Sequence, residues 1–149
     1  MCDAACVPRL ERCGDRRDGE QAQAVRALYA CNPGYWIDEF HLDGLRVDAT
    51  QQIFDGSGEH ILRPMLRGAR AAARGRRLLL TAENEPQDSL LLRAQEAGGF
   101  GFDALWNDDF HHAARVAATG RAEAYYSDYR GSAQELLSAL RHGFLFQGQ

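Results

Sequence analysis

Apolar residues along the chain follow two periods, one typical of helices and one typical of short buried strands. The helical spacing predicts helices over residues 20–30, 35–40, 59–74, 89–97, 108–120 and 132–142. Pro33, in the CNPG stretch at 31–34, is expected to break or kink the chain between the first two helices. Short apolar runs predict strands over 44–49, 78–82 and 103–107.

The alternation of helices and strands predicts an α/β fold with parallel strands and right-handed crossovers. The apolar run at 78–82 is typical of a parallel strand that is covered on both faces. Ser132 with Glu135 three positions later forms a capping box for the last helix. Residues 1–20 are polar without a core-forming period, which predicts an irregular or disordered N-terminus. Three strands make a poor sheet alone and suit one part of a larger α/β fold.

Composition narrows the classes of protein to consider. The chain has 149 residues and a net charge of -4, so it lacks the basic footprint of nucleic-acid binders. No apolar run approaches the roughly 18 residues that a membrane span needs, and the N-terminus lacks a secretory signal. The 4 cysteines lie within the first 31 residues at spacings that do not suit a zinc site. We therefore expect a cytoplasmic protein with reduced thiols and without a metal or cofactor.

Carboxylates follow all three predicted strands. Asp48 ends the first strand, Glu83 the second, and Asp108 with Asp109 the third. Polar residues often begin loops, so a single carboxylate here would carry little weight. In a parallel sheet or barrel, however, these strand ends share the face where active sites lie. Three successive strands that end in the same way therefore favour a catalytic site.

The surroundings of two of these carboxylates differ. Arg46 lies two residues before Asp48, so both side chains point to the same side of the strand, where the arginine keeps the carboxylate charged and oriented. That setting suits a nucleophile. Glu83 follows an apolar strand, which suits a proton donor. Such a division of roles matches the retaining glycosidases.

The segments GLRVDAT, LLLTAENEPQD and ALWNDDFHHAA resemble the alpha-amylase clan of glycoside hydrolases and, within it, the maltooligosyltrehalose trehalohydrolase family. The resemblance implies a (β/α)8 barrel, without cofactor, and hydrolysis of the α-1,4 bond next to the trehalose end of maltooligosyl trehalose. It implies that Asp48 is the nucleophile and Glu83 the general acid/base. Arg46 would orient the nucleophile and belong to the substrate-binding set.

The sequence departs from the family's pattern at two places. The clan's third carboxylate, an Asp preceded by His, does not appear before Gln149, and the sugar-holding motif of the third strand is not matched before residue 20. Residues 21–149 are therefore expected to be an internal fragment of the barrel, about strands four to six. We expect this chain by itself to be inactive and to self-associate through exposed barrel edges.

Further side chains are candidates for binding sugar. The predicted substrate-binding residues after the third strand are Trp106, Asn107, Asp108 and Asp109. Trp106 could instead be a core residue. His111 and His112 are expected to be helix-start or packing residues, and the aromatic residues near 125–129 to be a packing or loop feature. The alternatives are another clan member, such as a glucan branching enzyme or an amylase, and a non-catalytic remnant that binds glucan.

Overall fold

The computed structural model describes residues 18–143 and residue 145. Four helices and three strands follow one another as α1 (Asp18–Glu39), β1 (Gly44–Val47), α2 (Leu62–Ala72), β2 (Leu79–Ala82), β3 (Ala104–Leu105), α3 (Asp108–Thr119) and α4 (Ala133–His142) in the described residues. Residues 1–20 were predicted to be irregular or disordered, and residues 1–17 of this segment lie outside the described residues. Its last three residues, 18–20, are helical.

The described strands form one parallel sheet in the order β1-β2-β3. The predicted α/β class with parallel strands is confirmed. The apolar stripe predicted for the helix over 59–74 also holds, because Leu62, Leu66 and Ala69 of α2 are buried against the sheet. Leu80 and Ala82 of β2 contribute to the same core. The core is thus formed by the sheet together with α1 and α2.

The predicted break at Pro33 is wrong, because α1 continues through it without interruption. A proline inside a helix removes one backbone hydrogen bond and costs about 3 kcal/mol. Packing offsets this cost, since Pro33 and Ile37 are both buried. The separate helix expected over 35–40 is the last part of α1, and of its expected apolar face only Ile37 is buried.

Two glycines allow α1 and α2 to cross closely. A Cβ added to Gly68 of α2 would lie 2.9 Å from the carbonyl oxygen of Ala30 in α1. A Cβ added to Gly34 of α1 would lie 3.4 Å from the carbonyl oxygen of Gly68, an ordinary contact distance. Gly68 is therefore the position that fixes how near the two backbones can come.

Replacing Gly68 by alanine is expected to lower the free energy of unfolding by about 1–2 kcal/mol. Forcing the helices apart costs about 1–3 kcal/mol, and the better helix propensity of alanine returns at most about 1 kcal/mol. Urea unfolding of the two proteins measures the difference. Gly34→Ala is the matched control and should be neutral or slightly stabilising. Equal loss in both variants would contradict a close crossing at Gly68.

The helix predicted over 89–97 is also wrong. The chain forms two short 3-10 turns there, Ser89–Leu91 and Gln95–Ala97, separated by a non-helical link. Asp88 caps the first turn by accepting a hydrogen bond from the amide of Leu90. Leu91 is buried, but the run has too few buried positions to hold a longer helix against the core.

The C-terminal part follows the sequence more closely. α3 begins at Asp108 and α4 begins after Ser132, whose side chain forms the predicted capping box with Glu135. Between them, a 3-10 helix over Ala124–Asp128 carries part of the tyrosine cluster that was expected to be a packing or loop feature. Tyr129, just beyond it, packs with Ala113 and Val116 of α3.

Candidate active site

The site lies at the carboxyl edge of the sheet. In the parallel register, Val47 pairs with Ala82, and Ala82 pairs with Leu105. The next residue of each strand is Asp48, Glu83 and Trp106, respectively. The register continues one step further in the backbone, because the amide of Glu83 donates to the carbonyl of Val47 and that of Trp106 to Ala82. One row across three strands therefore holds two carboxylates and an indole.

Arg46 joins the members of this row. Its two terminal guanidinium nitrogens lie 2.7 Å from an oxygen of Asp48 and 2.7 Å from an oxygen of Glu83. Its Cζ atom lies 4.3 Å from the ring centroid of Trp106, within the range of a cation–π interaction. One cation thus contacts both candidate catalytic carboxylates and the aromatic ring beside them.

The ion pairs of Arg46 with both carboxylates limit how far apart these two groups can lie. The carboxylates of Asp48 and Glu83 lie on the same side of the sheet, near enough to share one guanidinium. A retaining glycosidase needs its two carboxyl groups about 5–5.5 Å apart, and a shared guanidinium is compatible with that separation. The sequence had placed Arg46 beside Asp48, whereas the structure adds its contact with Glu83.

The two carboxylates differ in exposure. The side chain of Asp48 is 74% exposed, whereas that of Glu83 is 28% exposed. The second oxygen of Glu83 accepts a hydrogen bond of 3.0 Å from the amide of Ala49. Asp48 is thus open to an incoming group, while Glu83 is held between Arg46 and the backbone of the neighbouring loop.

Ala49, whose amide donates to Glu83, adopts an uncommon backbone conformation. Its φ of 43° lies in the left-handed region, which alanine rarely enters. Strain of this kind collects at functional sites when the surrounding structure enforces it. Here the enforcing contacts come from Thr50, whose amide and hydroxyl both donate to the carbonyl of Glu83, at 2.9 and 2.8 Å.

Asn84 supports Thr50, which binds the backbone of Glu83. Its amide nitrogen donates to the hydroxyl of Thr50 at 3.0 Å, and its amide oxygen accepts from the amide of Asp88. Thr50 and Asn84 are each only 5% exposed. Thr50 is not among the site residues that the sequence predicts. The available signal was a polar residue within two positions of each carboxylate, Thr50 after Asp48 and Asn84 after Glu83.

Trp106 is not a core residue. Its side chain is 48% exposed and lies over Arg46, so the indole keeps a free face beside the carboxylates. An exposed aromatic ring next to the candidate nucleophile is the arrangement that sugar stacking requires. The contact with Arg46 fixes the ring on its other side.

The three residues that follow Trp106 point largely into the protein. Asn107 caps α3 by accepting a hydrogen bond of 3.0 Å from Phe110. Asp109 is 4% exposed and accepts from the hydroxyl of Tyr129 and the amide of Leu145. These observed contacts are structural, and sugar binding by Asn107 and Asp109 stays a prediction.

Asp108 is buried at the first turn of α3, close to several charged groups. Burial raises the pKa of its carboxyl, an effect that Glu83 and Glu85 reinforce and that His111 and His112 partly oppose. His112 is itself buried against the rings of Tyr125, Tyr126 and Tyr129, and burial lowers its pKa. It therefore packs in the interior, as expected for this position.

Replacing Asp108 by asparagine is expected to raise the melting temperature at pH 7. An acid whose folded pKa is raised contributes stability below its unfolded pKa and loses it as pH rises through the folded value. The advantage of the uncharged variant should therefore shrink as the pH falls towards 4 and below. Thermal unfolding over this range measures the effect, with exposed Asp128→Asn as the control. An advantage independent of pH would contradict an ionisation cost at Asp108.

Comparisons with known proteins show which proteins the chain resembles. No family model matches the chain. The malto-oligosyltrehalose trehalohydrolase of Arthrobacter ramosus is 36% identical over 135 residues, covering 88% of this chain and 23% of the relative. That of Mycobacterium tuberculosis is 38% identical over 115 residues, covering 76% of this chain and 20% of the relative. Over most of its length the chain is similar to malto-oligosyltrehalose trehalohydrolases.

A solved structure supports the fold assignment for this chain. The crystal structure of a putative alpha amylase from Salmonella typhimurium superposes with a TM-score of 0.74 and is 42% identical. The match covers 87% of this chain and 22% of that protein. The predicted fold class, an internal portion of an alpha-amylase TIM barrel, is thus confirmed, and the names of the relatives and of this structure support a glycoside hydrolase.

The chain spans about a fifth of the length of the relatives that it matches. Among the helices that the structure describes, none combines the length and the apolar character needed to cross a membrane.

Proposed function

We propose that this chain carries the nucleophile and the general acid/base of a retaining trehalohydrolase. The observation that supports this best is the contact of one guanidinium, that of Arg46, with both Asp48 and Glu83 at the edge of the sheet. The names of the relatives favour trehalohydrolysis over glucan branching or amylase activity. The substrate would be maltooligosyl trehalose, or a related α-glucan, and the product trehalose.

In the proposed reaction, the carboxylate of Asp48 attacks the anomeric carbon while Glu83 protonates the departing oxygen of trehalose. Water activated by Glu83 then releases the glycan from Asp48. Arg46 orients the nucleophile and compensates its charge. The free face of Trp106 stacks on a sugar ring, and Asn107, Asp108 and Asp109 belong to the substrate-binding wall that follows β3.

A segment exchange tests this proposal. Residues 21–143 replace the matching segment of the Arthrobacter ramosus trehalohydrolase, and release of trehalose from maltooligosyl trehalose is measured. We expect the exchanged enzyme to be active and its Asp48→Asn variant to be inactive. A folded exchanged enzyme without activity, or activity that survives Asp48→Asn, would overturn the proposal.

We further propose that the 149 residues bind glucan but do not hydrolyse it by themselves. No Asp preceded by His, the motif of the clan's third carboxylate, occurs in the sequence. Incubation of the chain with maltooligosyl trehalose should therefore release no trehalose above the blank. Turnover by the chain would show that the sequence contains a complete catalytic set. We also propose a cytoplasmic location, which agrees with a half-buried Cys31 that forms no disulfide within the described residues.

Self-association of the chain through exposed barrel edges is a further part of the proposal, and a face of α1 offers a second surface for it. α1 presents a row of exposed apolar side chains at helical spacing, and patches of this kind tend to be covered. The row comprises Val25, Leu28, Tyr29 and Trp36. The apparent mass in light scattering is expected to rise with protein concentration. A constant monomer mass over a wide range of concentration would contradict this.

A further inference from the structure

Phe54 is an exposed aromatic residue on the loop that leads from β1 to α2. Its side chain is 86% exposed, more than any other large apolar residue in the described part of the chain. The loop begins directly after Val47, at the carboxyl edge of the sheet, and Asp48 is its first residue. Phe54 therefore belongs to the same edge as the candidate catalytic carboxylates.

Single exposed apolar residues are common on protein surfaces and do not by themselves mark a site. The loop around Phe54 differs from an ordinary surface loop in how firmly it is held. Before Phe54, Thr50 donates twice to the carbonyl of Glu83, and Ile53 packs against the hydrophobic core. The carbonyl oxygen of Ile53 also lies 3.1 Å from Nε2 of His60. The chain is thus fixed up to the residue that precedes the ring.

The residue after Phe54 is held by a second set of contacts. The carboxylate of Asp55 accepts hydrogen bonds from the amides of Ser57, at 3.0 Å, and Ile61, at 2.7 Å. It also forms an ion pair with Arg26 of α1. Burial disfavours the charged carboxylate, but the hydrogen bonds from Ser57, Arg26 and Ile61 outweigh this effect and lower the pKa of Asp55.

These contacts hold an aromatic ring in solvent between two fixed neighbours. A loop that is already ordered loses little conformational entropy when a ligand stacks on its ring. The favourable free energy of the contact is therefore not offset by the cost of ordering the loop. The exposed face is apolar and flat, and the C–H face of a glucopyranose ring complements it in shape and polarity.

We propose that Phe54 is a stacking platform for one glucosyl ring of an α-1,4-glucan, at a subsite on the same sheet edge as Asp48 and Glu83. The inference rests on the proposed function, because it takes the substrate class from there. It adds a residue on a different loop from Trp106, so the glucan would contact aromatic rings contributed after β1 and after β3.

Titration calorimetry of the 149-residue chain with maltohexaose tests the platform. We expect Phe54→Ala to weaken binding about tenfold, the loss of roughly 1.4 kcal/mol of contact, and Phe54→Tyr to bind like the parent. Phe40→Ala is the matched control, because Phe40 is 54% exposed but precedes β1 at the opposite edge of the sheet. Circular dichroism checks that each variant retains the fold of the parent.

Two results would overturn the platform. If the parent binds maltohexaose and Phe54→Ala binds equally well, the ring does not contact glucan, and the proposed function is unaffected. If the parent does not bind maltohexaose, the platform is rejected as well. Trehalose release by the segment-exchanged enzyme then decides separately whether the proposed function also fails.

Discussion

Replacing Glu83 by glutamine is expected to slow trehalose release by the segment-exchanged enzyme about 10²–10⁴-fold, the usual contribution of a general acid/base. Glutamine keeps the size of the side chain and can still accept from the amide of Ala49. It cannot protonate the departing sugar, nor can it activate water. The loss should therefore be chemical rather than structural, and the melting temperature should change little.

The leaving group distinguishes this role from a general disturbance of the site. Fluoride leaves glucosyl fluoride without protonation as Asp48 attacks the anomeric carbon, so Glu83→Gln should retain formation of the glycosyl-enzyme from this donor. Added azide should then restore turnover, because it needs no base in order to attack. Asp48→Asn provides the control, since it removes the nucleophile and should recover with neither reagent. Equal loss of Glu83→Gln activity on both substrates would argue against the acid/base assignment.

Replacing Gly131 by alanine is expected to lower the free energy of unfolding of the chain by about 2–5 kcal/mol. Gly131 has a φ of 64°, in the left-handed region, and lies between the tyrosine cluster and α4. Its Cβ would overlap the amide nitrogen of Ala117 and lie 2.7 Å from the Cα of Ala117 in α3. Neither backbone can yield without moving α3 relative to α4.

Gly120→Ala separates the two sources of this loss. Gly120 has a similar φ of 66°, but nothing lies within 4 Å of its Cβ position. It should therefore lose only the conformational part, about 1–2 kcal/mol. Urea unfolding of both variants measures the difference. If the two substitutions proved equally costly, the close approach of Gly131 to α3 would not contribute to stability.

The course of the fold could be predicted where local signals agreed. At these places the spacing of apolar residues and the residues that end an element indicate the same structure. Examples are the apolar stripe of α2, the strand run at 78–82 and the helix that begins with the capping box at Ser132. The prediction failed at Pro33 because the packing of α1 on α2 outweighs the local preference of proline, and sequence spacing does not report that packing. The segment over 89–97 failed for a related reason, since little of it reaches the core.

Several residues of the candidate site could be predicted from the sequence, but the contacts between them could not. The strand ends identified Asp48 and Glu83, and the two-residue spacing identified Arg46. The contact of Arg46 with Glu83 crosses from β1 to β2 and depends on register, which no local pattern specifies. The same limit applies to Asp109, whose carboxylate is occupied by Tyr129, 20 residues away along the chain.

The shared row of Asp48, Glu83 and Trp106 also determines which changes in chain length the site can tolerate. Side chains alternate between the two faces of a strand, so inserting or deleting one residue within β2 would turn Glu83 away from Arg46. A two-residue change would restore the face but displace the carboxylate along the strand. Variation in length should therefore accumulate away from this row, as in the connection at 120–124, while the interval from Arg46 to Asp48 stays constant.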